Sequence, residues 1–422
     1  MAKLIIQGRK QLAGEVNVYG AKNEVTKLVA AAVLTDQDVV INNAPRILDL
    51  EKMMAIVRSM GGQAEWSGEH QIRVNCKNLD PEKIDHELVK KLRASVVFIG
   101  PLLARFKKID FSIPGGCIIG NRPLDTHLSA FRKIGADIKE DRVNNLYQFS
   151  APKLKGTVVV LNEFSVTATE NIMMAASLAS GKTVVKIAAT EPHVEDLANC
   201  LNKMGAKIKG AGTHTLEIEG VEKLSGVEHT VIPDPIDIGT FAILAVATKS
   251  DVKINNVIAG HLDLFLEKLK EFGANFKVGS NYLHLYPSGV LKAVKKIETN
   301  IYPGIPTDLQ QPLAVLATQS AGTTMIFEKM FESRFNYVFE LNKMGANIII
   351  ADPHRIIING PTPLYGREVK SFDLRAGATL VVAGLLADGE TIIHQAEMID
   401  RGYEDIVGRL KKLGAEIQRV DE

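Results

Sequence analysis

Three cysteines in 422 residues are too few for a disulfide framework. Cys76, Cys117 and Cys200 also stand far apart, a usage that fits a reducing compartment. Surplus charge is missing too. Fifty Lys and Arg against 49 Asp and Glu leave +1, so a broadly basic surface for coating nucleic acid or anionic membrane is excluded, and any positive field must be local. Long apolar runs are lacking: stretches such as 96–104 fall well short of the ~20 residues that span a bilayer. The three-residue apolar stretch in MAKLIIQGRKQL is too short for a signal peptide. What remains, 46% hydrophobic and 23% charged residues, is ordinary for a globular chain and excludes wholesale disorder. The expectation is a cytoplasmic enzyme or binding protein of two to three domains, with neither nucleic acid nor membrane as partner.

Internal repeats organise the chain. A glycine doublet recurs in MGGQAEW, IGADIKE, MGAKIKG, FGANFKV, MGANIII and LGAEIQR, led by Gly61, Gly135, Gly205, Gly273, Gly345 and Gly414. The separations are 74, 70, 68, 72 and 69 residues. Each doublet follows an amphipathic stretch, such as Leu262, Leu266, Leu269 and Phe272, whose spacing predicts a helix with one buried face. Glycine then ends the helix, because a left-handed C-terminal position is cheap only without a Cβ. Upstream, NIMMAASLASGKTVVKIAA and TLVVAGLLADGETIIHQAE each read as an apolar helix, a turn and a strand. The unit is therefore helix, strand, helix, strand, and six units form two groups of three. Units one to three fill 22–231 and units four to six 232–422, with residues 1–21 adding an extra strand pair to the second group.

Familiar nucleotide and metal motifs fail on inspection. ASGKT (179–183) lacks the first P-loop glycine and runs helix to strand, the reverse of a P-loop. No GxGxxG opens a helix. Ten histidines never pair at metal-ligand spacing, so no structural zinc site is expected.

Function in a repeat protein sits where units break the shared pattern. At corresponding helix starts the chain places Lys22-Asn23, Arg93, Asp308 and Leu374-Arg375, and helix N-termini attract anions. The loop GGCIIGNRPLDTHL (115–128) crowds Arg122, Asp125 and His127 after Cys117. A cysteine five residues from an arginine is a candidate reactive thiol, whereas Cys200 and Cys76 read as buried small hydrophobes. Arg334 in FESRF and Arg401 in IDRGYE enter the last two units' helices from loops. These cations in a net-neutral chain point to a focused pocket for a multiply charged anion, with Asp308 as the one carboxylate among them.

The motifs GAKN (20–23), LRAS (92–95), PGGCIIGNRPLDTHL (114–128), SVTATEN (165–171), PTDLQ (306–310), FESRF (331–335), DLRAGA (373–378) and IDRGYE (399–404) resemble the UDP-N-acetylglucosamine 1-carboxyvinyltransferase family of enolpyruvyl transferases. The resemblance runs from the first strand to the last helix. It implies an α/β fold, an inside-out α/β barrel of two three-unit domains, one made of 1–21 plus 232–422 and the other of 22–231. It also implies the first committed step of peptidoglycan synthesis, with phosphoenolpyruvate and UDP-N-acetylglucosamine as substrates and no metal, organic cofactor or obligate protein partner.

Carried over by motif, Lys22, Arg122 and Arg401 would hold phosphoenolpyruvate. Asn23, Arg93, the stretch Arg122, Pro123, Leu124, Asp125 and Thr126, the stretch Glu163, Phe164, Ser165 and Val166, and Asp308 and Met330 would line the nucleotide-sugar site. Arg334, Asp373 and Arg375 would complete its floor. Cys117 would be the general acid and Asp308 the base. The chain departs from the family at Glu24–Lys27, where small apolar residues are usual, and at Pro235, which replaces an arginine. Asn121 and Thr126 alter the cysteine loop, and Pro312 is expected to interrupt a helix start. Two rival readings stay open: enolpyruvyl transfer to a different nucleotide or nucleotide sugar, and a non-catalytic nucleotide-sugar sensor.

Overall fold

The computed structural model describes residues 2–115, 120 and 122–421. Each of the six glycine doublets ends a helix as its sequence requires. Gly61, Gly135, Gly205, Gly273, Gly345 and Gly414 all have φ between +83° and +104°, a region that costs most residues a Cβ clash. The six helices before them, Leu48–Ser59, Asp125–Lys133, Pro192–Lys203, Asp263–Glu271, Asn336–Lys343 and Ile406–Lys412, are each followed directly by a strand.

The second helix of each repeat is of another kind. Gln310–Thr318 is buried along its whole length, and Leu374–Leu386 and Pro235–Ala247 are buried at all but one terminal position. A helix apolar on every side must lie inside, and the strands pack outside it. The first five repeats therefore contribute an inner helix, a strand, an outer helix and a β-hairpin each, and in the sixth a single strand, Glu416–Asp421, follows the outer helix. Among the described residues, five sheets have four strands and one has three. The three-stranded sheet belongs to the second repeat, where short helical turns at Pro81–Lys83 and His86–Lys90 precede the inner helix instead of a strand.

The chain divides into two compact units, one of Met1–Tyr19 with Pro233–Glu422, the other drawn from Gly20–Ile232. Two strands change places to make this division. Ala13–Asn17 precedes the first inner helix but pairs in parallel with Asp251–Asn255. Val227–Thr230 precedes the fourth inner helix but pairs in parallel with Asp38–Asn42. Ala2–Gln7 fills the sixth sheet between Glu390–His394 and Glu416–Asp421. Within each unit, sheets surround inner helices: an inside-out α/β barrel. Among the described residues, no helix is long and apolar enough to cross a membrane.

Candidate active site

In the unit drawn from 20–232, the inner helices carry polarity at their first turns. Lys22 and Asn23 are the part-exposed residues of the helix Lys22–Ala31, and every later residue is buried. Lys22 Nζ lies 2.9 Å from Asp49 Oδ2, and Asp49 is buried in the first turn of the helix Leu48–Ser59. A buried carboxylate needs a cation nearby, so this contact fixes where the ammonium stands. Sequence reasoning missed Asp49, because nothing in the spacing marks it off from an ordinary first-turn acid.

Arg93 opens the turn Arg93–Phe98. Its guanidinium donates to the carbonyls of Pro114 and Arg122, one on each side of the cysteine loop. Burial, and then the charge of Arg122, push Arg93 down to about 10. Cys117 itself, with Gly116, Ile118, Ile119 and Asn121, lies outside the described residues. Beyond the loop, Pro123 and Asp125 are exposed and Leu124 is buried. Thr126 Oγ1 donates to Glu163 Oε1 at 3.1 Å, which brings the stretches 122–126 and 163–166 together. Glu163 and Phe164 are exposed. The Ser165 hydroxyl accepts from the Ala168 N–H and caps the helix Val166–Ala176, of which Val166 is the first residue.

In the other unit Asp308 is gripped at both oxygens. Arg334 Nη2 donates to Oδ1 at 2.6 Å and Arg375 Nε to Oδ2 at 3.0 Å. Both arginines are buried, while about a quarter of the Asp308 side chain stays open, 24%. Burial works against the charge on Arg334, but Asp308, then Asp373 and Glu328, hold it above its ordinary value. Arg375 likewise overcomes burial through Tyr403, Asp308 and Asp234. Asp373 Oδ1 is engaged as a helix cap for the N–H groups of Arg375 and Ala376. Arg334 also donates to the Thr307 hydroxyl, which donates to buried Glu328. Met330 N–H donates to the same Glu328 carboxylate. Thr307 and Glu328 were not foreseen, though Thr307 lies inside the PTDLQ motif. Arg401 ends the turn Ala396–Arg401 and is part-exposed.

The departures at Glu24–Lys27 face inward. Glu24 Oε2 accepts from Ile232 N–H, and Lys27 Nζ lies 3.9 Å from Glu170, so these residues form a polar core. The tertiary structure also gathers Glu24, Asp196 and His229, whose ligand atoms lie within 4.8 Å of one another, a grouping invisible in sequence spacing. His229 Nε2 is already bonded to Asp196 at 2.8 Å, and Nδ1 faces Lys203 Nζ at 3.2 Å. Pro235 occupies the first position of its helix, capped by Asp234, where a missing N–H costs nothing. Pro312 sits in the first turn of Gln310–Thr318 and does not interrupt it, for the same reason.

Glu170 gives a pH prediction. It is fully buried, and neither oxygen has a hydrogen-bond partner among the described residues. Burial, opposed by Lys27 and reinforced by Glu191, pushes its carboxyl up to about 8. The 3.9 Å gap to Lys27 is too long for a hydrogen bond, which agrees with a neutral acid. An unfolded glutamate releases its proton near 4.5, so the folded state binds more protons between about pH 4.5 and 8. The stability this group contributes is complete below that window and is lost as pH rises through it. Glu170→Gln is expected to flatten the decline in melting temperature between about pH 5 and 8. Parallel pH profiles for variant and parent would contradict this.

Comparison with known proteins agrees with the motifs. The family model described as EPSP synthase (3-phosphoshikimate 1-carboxyvinyltransferase) matches residues 6–410. A UDP-N-acetylglucosamine 1-carboxyvinyltransferase of Halothermothrix orenii is 44% identical over 420 residues, covering 100% of both chains. One from Koribacter versatilis is 43% identical over 425 residues, covering all of this chain and 97% of its own. Among solved structures, the enolpyruvyl transferase NikO from Streptomyces tendae superposes with a TM-score of 0.90 at 26% identity, over 99% of both chains. An EPSP synthase from Acinetobacter baumannii shares the fold, with a TM-score of 0.74 at 20% identity over both full chains. The chain belongs to the enolpyruvyl transferase family, within the group of the UDP-N-acetylglucosamine 1-carboxyvinyltransferases.

Proposed function

We propose that this protein transfers the enolpyruvyl group of phosphoenolpyruvate to the 3-hydroxyl of UDP-N-acetylglucosamine and releases phosphate. The observation that carries the reading is Asp308, a part-open carboxylate locked between two buried arginines, in a chain 43–44% identical end to end to enzymes named for this reaction. A sensor has no use for both a base at Asp308 and an acid at Cys117.

In the reaction the sugar 3-oxygen bonds to C2 of phosphoenolpyruvate. Its proton passes to Asp308, and the Cys117 thiol supplies a proton to the methylene carbon. The resulting tetrahedral ketal loses a proton from the new methyl group and breaks the C2–O bond to phosphate, leaving an enol ether. Lys22, Arg122 and Arg401 hold the phosphate and carboxylate charges. Those charges persist throughout, so what matters is pre-organisation, and the Lys22–Asp49 contact supplies it at one position. The cytoplasm suits the reaction, in keeping with the low cysteine content.

Phosphate release from phosphoenolpyruvate, with and without UDP-N-acetylglucosamine, tests the assignment. Release only when the sugar nucleotide is present is expected; none with it, but release with another acceptor, would move the reading to a different nucleotide sugar. Asp49→Asn should raise the KM for phosphoenolpyruvate roughly tenfold or more, the worth of a hydrogen bond to a charged group. The KM for UDP-N-acetylglucosamine should stay within about twofold, since a neutral amide leaves the site's shape intact. Equal increases in both would show that Asp49 acts on the unit as a whole.

A further inference from the structure

Glu328 is fully buried, and the reaction above gives it no part. It directly follows the strand Gly322–Phe327 and meets donors at both carboxylate oxygens. Oε1 accepts from the Thr299 hydroxyl and the Met330 N–H, both at 2.8 Å, and Oε2 accepts from the Thr307 hydroxyl at 2.6 Å. The direction of these bonds is set from outside. Thr307 Oγ1 accepts from Arg334 Nη1 at 2.6 Å, and Thr299 Oγ1 accepts from the Lys329 N–H at 2.9 Å, so each hydroxyl has its own proton to give. A proton on Glu328 would set donor against donor. The geometry therefore holds Glu328 as a carboxylate, and a buried carboxylate needs a cation close by.

That cation is Arg334, one hydroxyl away. Its two terminal nitrogens take separate partners, Nη1 on Thr307 and Nη2 on Asp308. Its main chain is fixed as well: the Arg334 carbonyl accepts from Gln310 Nε2, and Gln310 Oε1 accepts from the buried Tyr337 hydroxyl. With both nitrogens engaged, the guanidinium cannot turn without breaking a bond.

Charge gives this arrangement a consequence for the chemistry. Asp308 touches two guanidiniums, and positive neighbours lower a carboxyl and weaken it as a base. A general base works best when its pKa lies near the operating pH. A second carboxylate behind one of those arginines opposes the lowering.

We infer that Glu328 is a positioning residue for the proposed base: through the Thr307 hydroxyl it fixes Arg334 on Asp308, and it offsets part of the positive charge that two arginines place there. The inference rests on the proposed reaction, in which Asp308 takes the sugar proton. The other titratable groups around the pair play different parts. Burial, and then Glu328 itself, raise the Tyr337 phenol well above its ordinary value, so it stays neutral. His354 Nδ1 faces the main-chain carbonyl of Glu328, not its carboxylate, and Lys329 Nζ lies 3.4 Å from Glu298. Asp373 acts on Arg334, and Asp234 and Tyr403 act on Arg375.

Glu328→Gln removes the charge and leaves an amide oxygen for Thr299 and Met330. Its amide N–H then faces Thr307, whose proton loses its acceptor. By titration calorimetry the variant should bind UDP-N-acetylglucosamine within about twofold of the parent, while kcat falls about tenfold or more, as for a lost hydrogen bond to a charged group. The acid limb of the kcat–pH profile should move down by about one pH unit, because Asp308 loses a like charge. A merely structural residue would lower the melting temperature and leave that limb in place. Thr307→Val should also lower kcat but add little to Glu328→Gln in the double variant, since both break one path, and Thr307→Ser should recover most of the turnover. If Glu328→Gln does not fold, the turnover of Thr307→Val against Thr307→Ser decides. Parent-like turnover in Glu328→Gln, an acid limb unmoved or displaced upward, or a loss of sugar-nucleotide affinity as large as the loss of turnover overturns the inference. An inactive Asp308→Asn beside a parent-like Glu328→Gln sinks this inference alone; near-normal turnover in Asp308→Asn sinks the assignment of the base first.

Discussion

Asp308→Asn is expected to keep UDP-N-acetylglucosamine bound while turnover falls by roughly 10²–10⁴, the usual worth of a general base. Asparagine preserves volume but cannot take the proton of the 3-hydroxyl. The geometry adds a second effect. Arg334 and Arg375 each spend a hydrogen bond on Asp308, and a neutral amide has one carbonyl oxygen to offer two buried guanidiniums. Breaking a buried ion pair by removing one partner costs about 3–5 kcal/mol; because Asp308 is part-open, the lower end applies. The variant should therefore melt earlier than the parent, and its turnover must be measured below that temperature. Titration calorimetry checks retained binding and phosphate release checks turnover. Near-normal turnover would move the base elsewhere. Asp373 is the nearest alternative in role, yet its Oδ1 already caps the helix Leu374–Leu386.

The second large effect concerns the three thiols. Fosfomycin, a small phosphonate epoxide resembling phosphoenolpyruvate, is expected to inactivate the protein by alkylating Cys117 alone, faster with UDP-N-acetylglucosamine bound. Attack on an epoxide needs a thiolate and access. Cys76 and Cys200 are 0% and 1% exposed, and burial pushes each thiol up to about 12. Neither meets the requirement. Cys117→Asp should resist the inhibitor yet keep activity, because a carboxylic acid still donates a proton but attacks epoxides poorly. Peptide mass mapping decides it: label spread over all three cysteines, or confined to Cys76, would remove Cys117 as the general acid.

Much of the architecture was legible in one dimension because it depends on local rules. Six glycines at left-handed helix ends, and inner helices such as Pro235–Ala247 and Leu374–Leu386 that are apolar on nearly every side, are properties of short windows of chain. The cations and the carboxylate at helix starts were legible for the same reason: Lys22, Arg93, Asp308 and Arg375 are costly beside apolar helices and recur in equivalent places. Pro312 shows the limit of a local rule. A proline breaks a helix interior, but helix ends are set by tertiary contacts, and the residue proved to lie in a first turn.

The sequence by itself determined the repeat, the turn at each doublet and the residue types available for chemistry. Only the tertiary structure decided which of them meet. Asp49 beneath Lys22, the paired arginines on Asp308, and the Glu328–Thr307–Arg334 relay join residues tens of positions apart on different elements. The exchange of Ala13–Asn17 and Val227–Thr230 between sheets is of the same kind. The physical reason is that hydrogen-bond and ion-pair energies depend on ångström-scale approach and on burial, and neither is a function of separation along the chain.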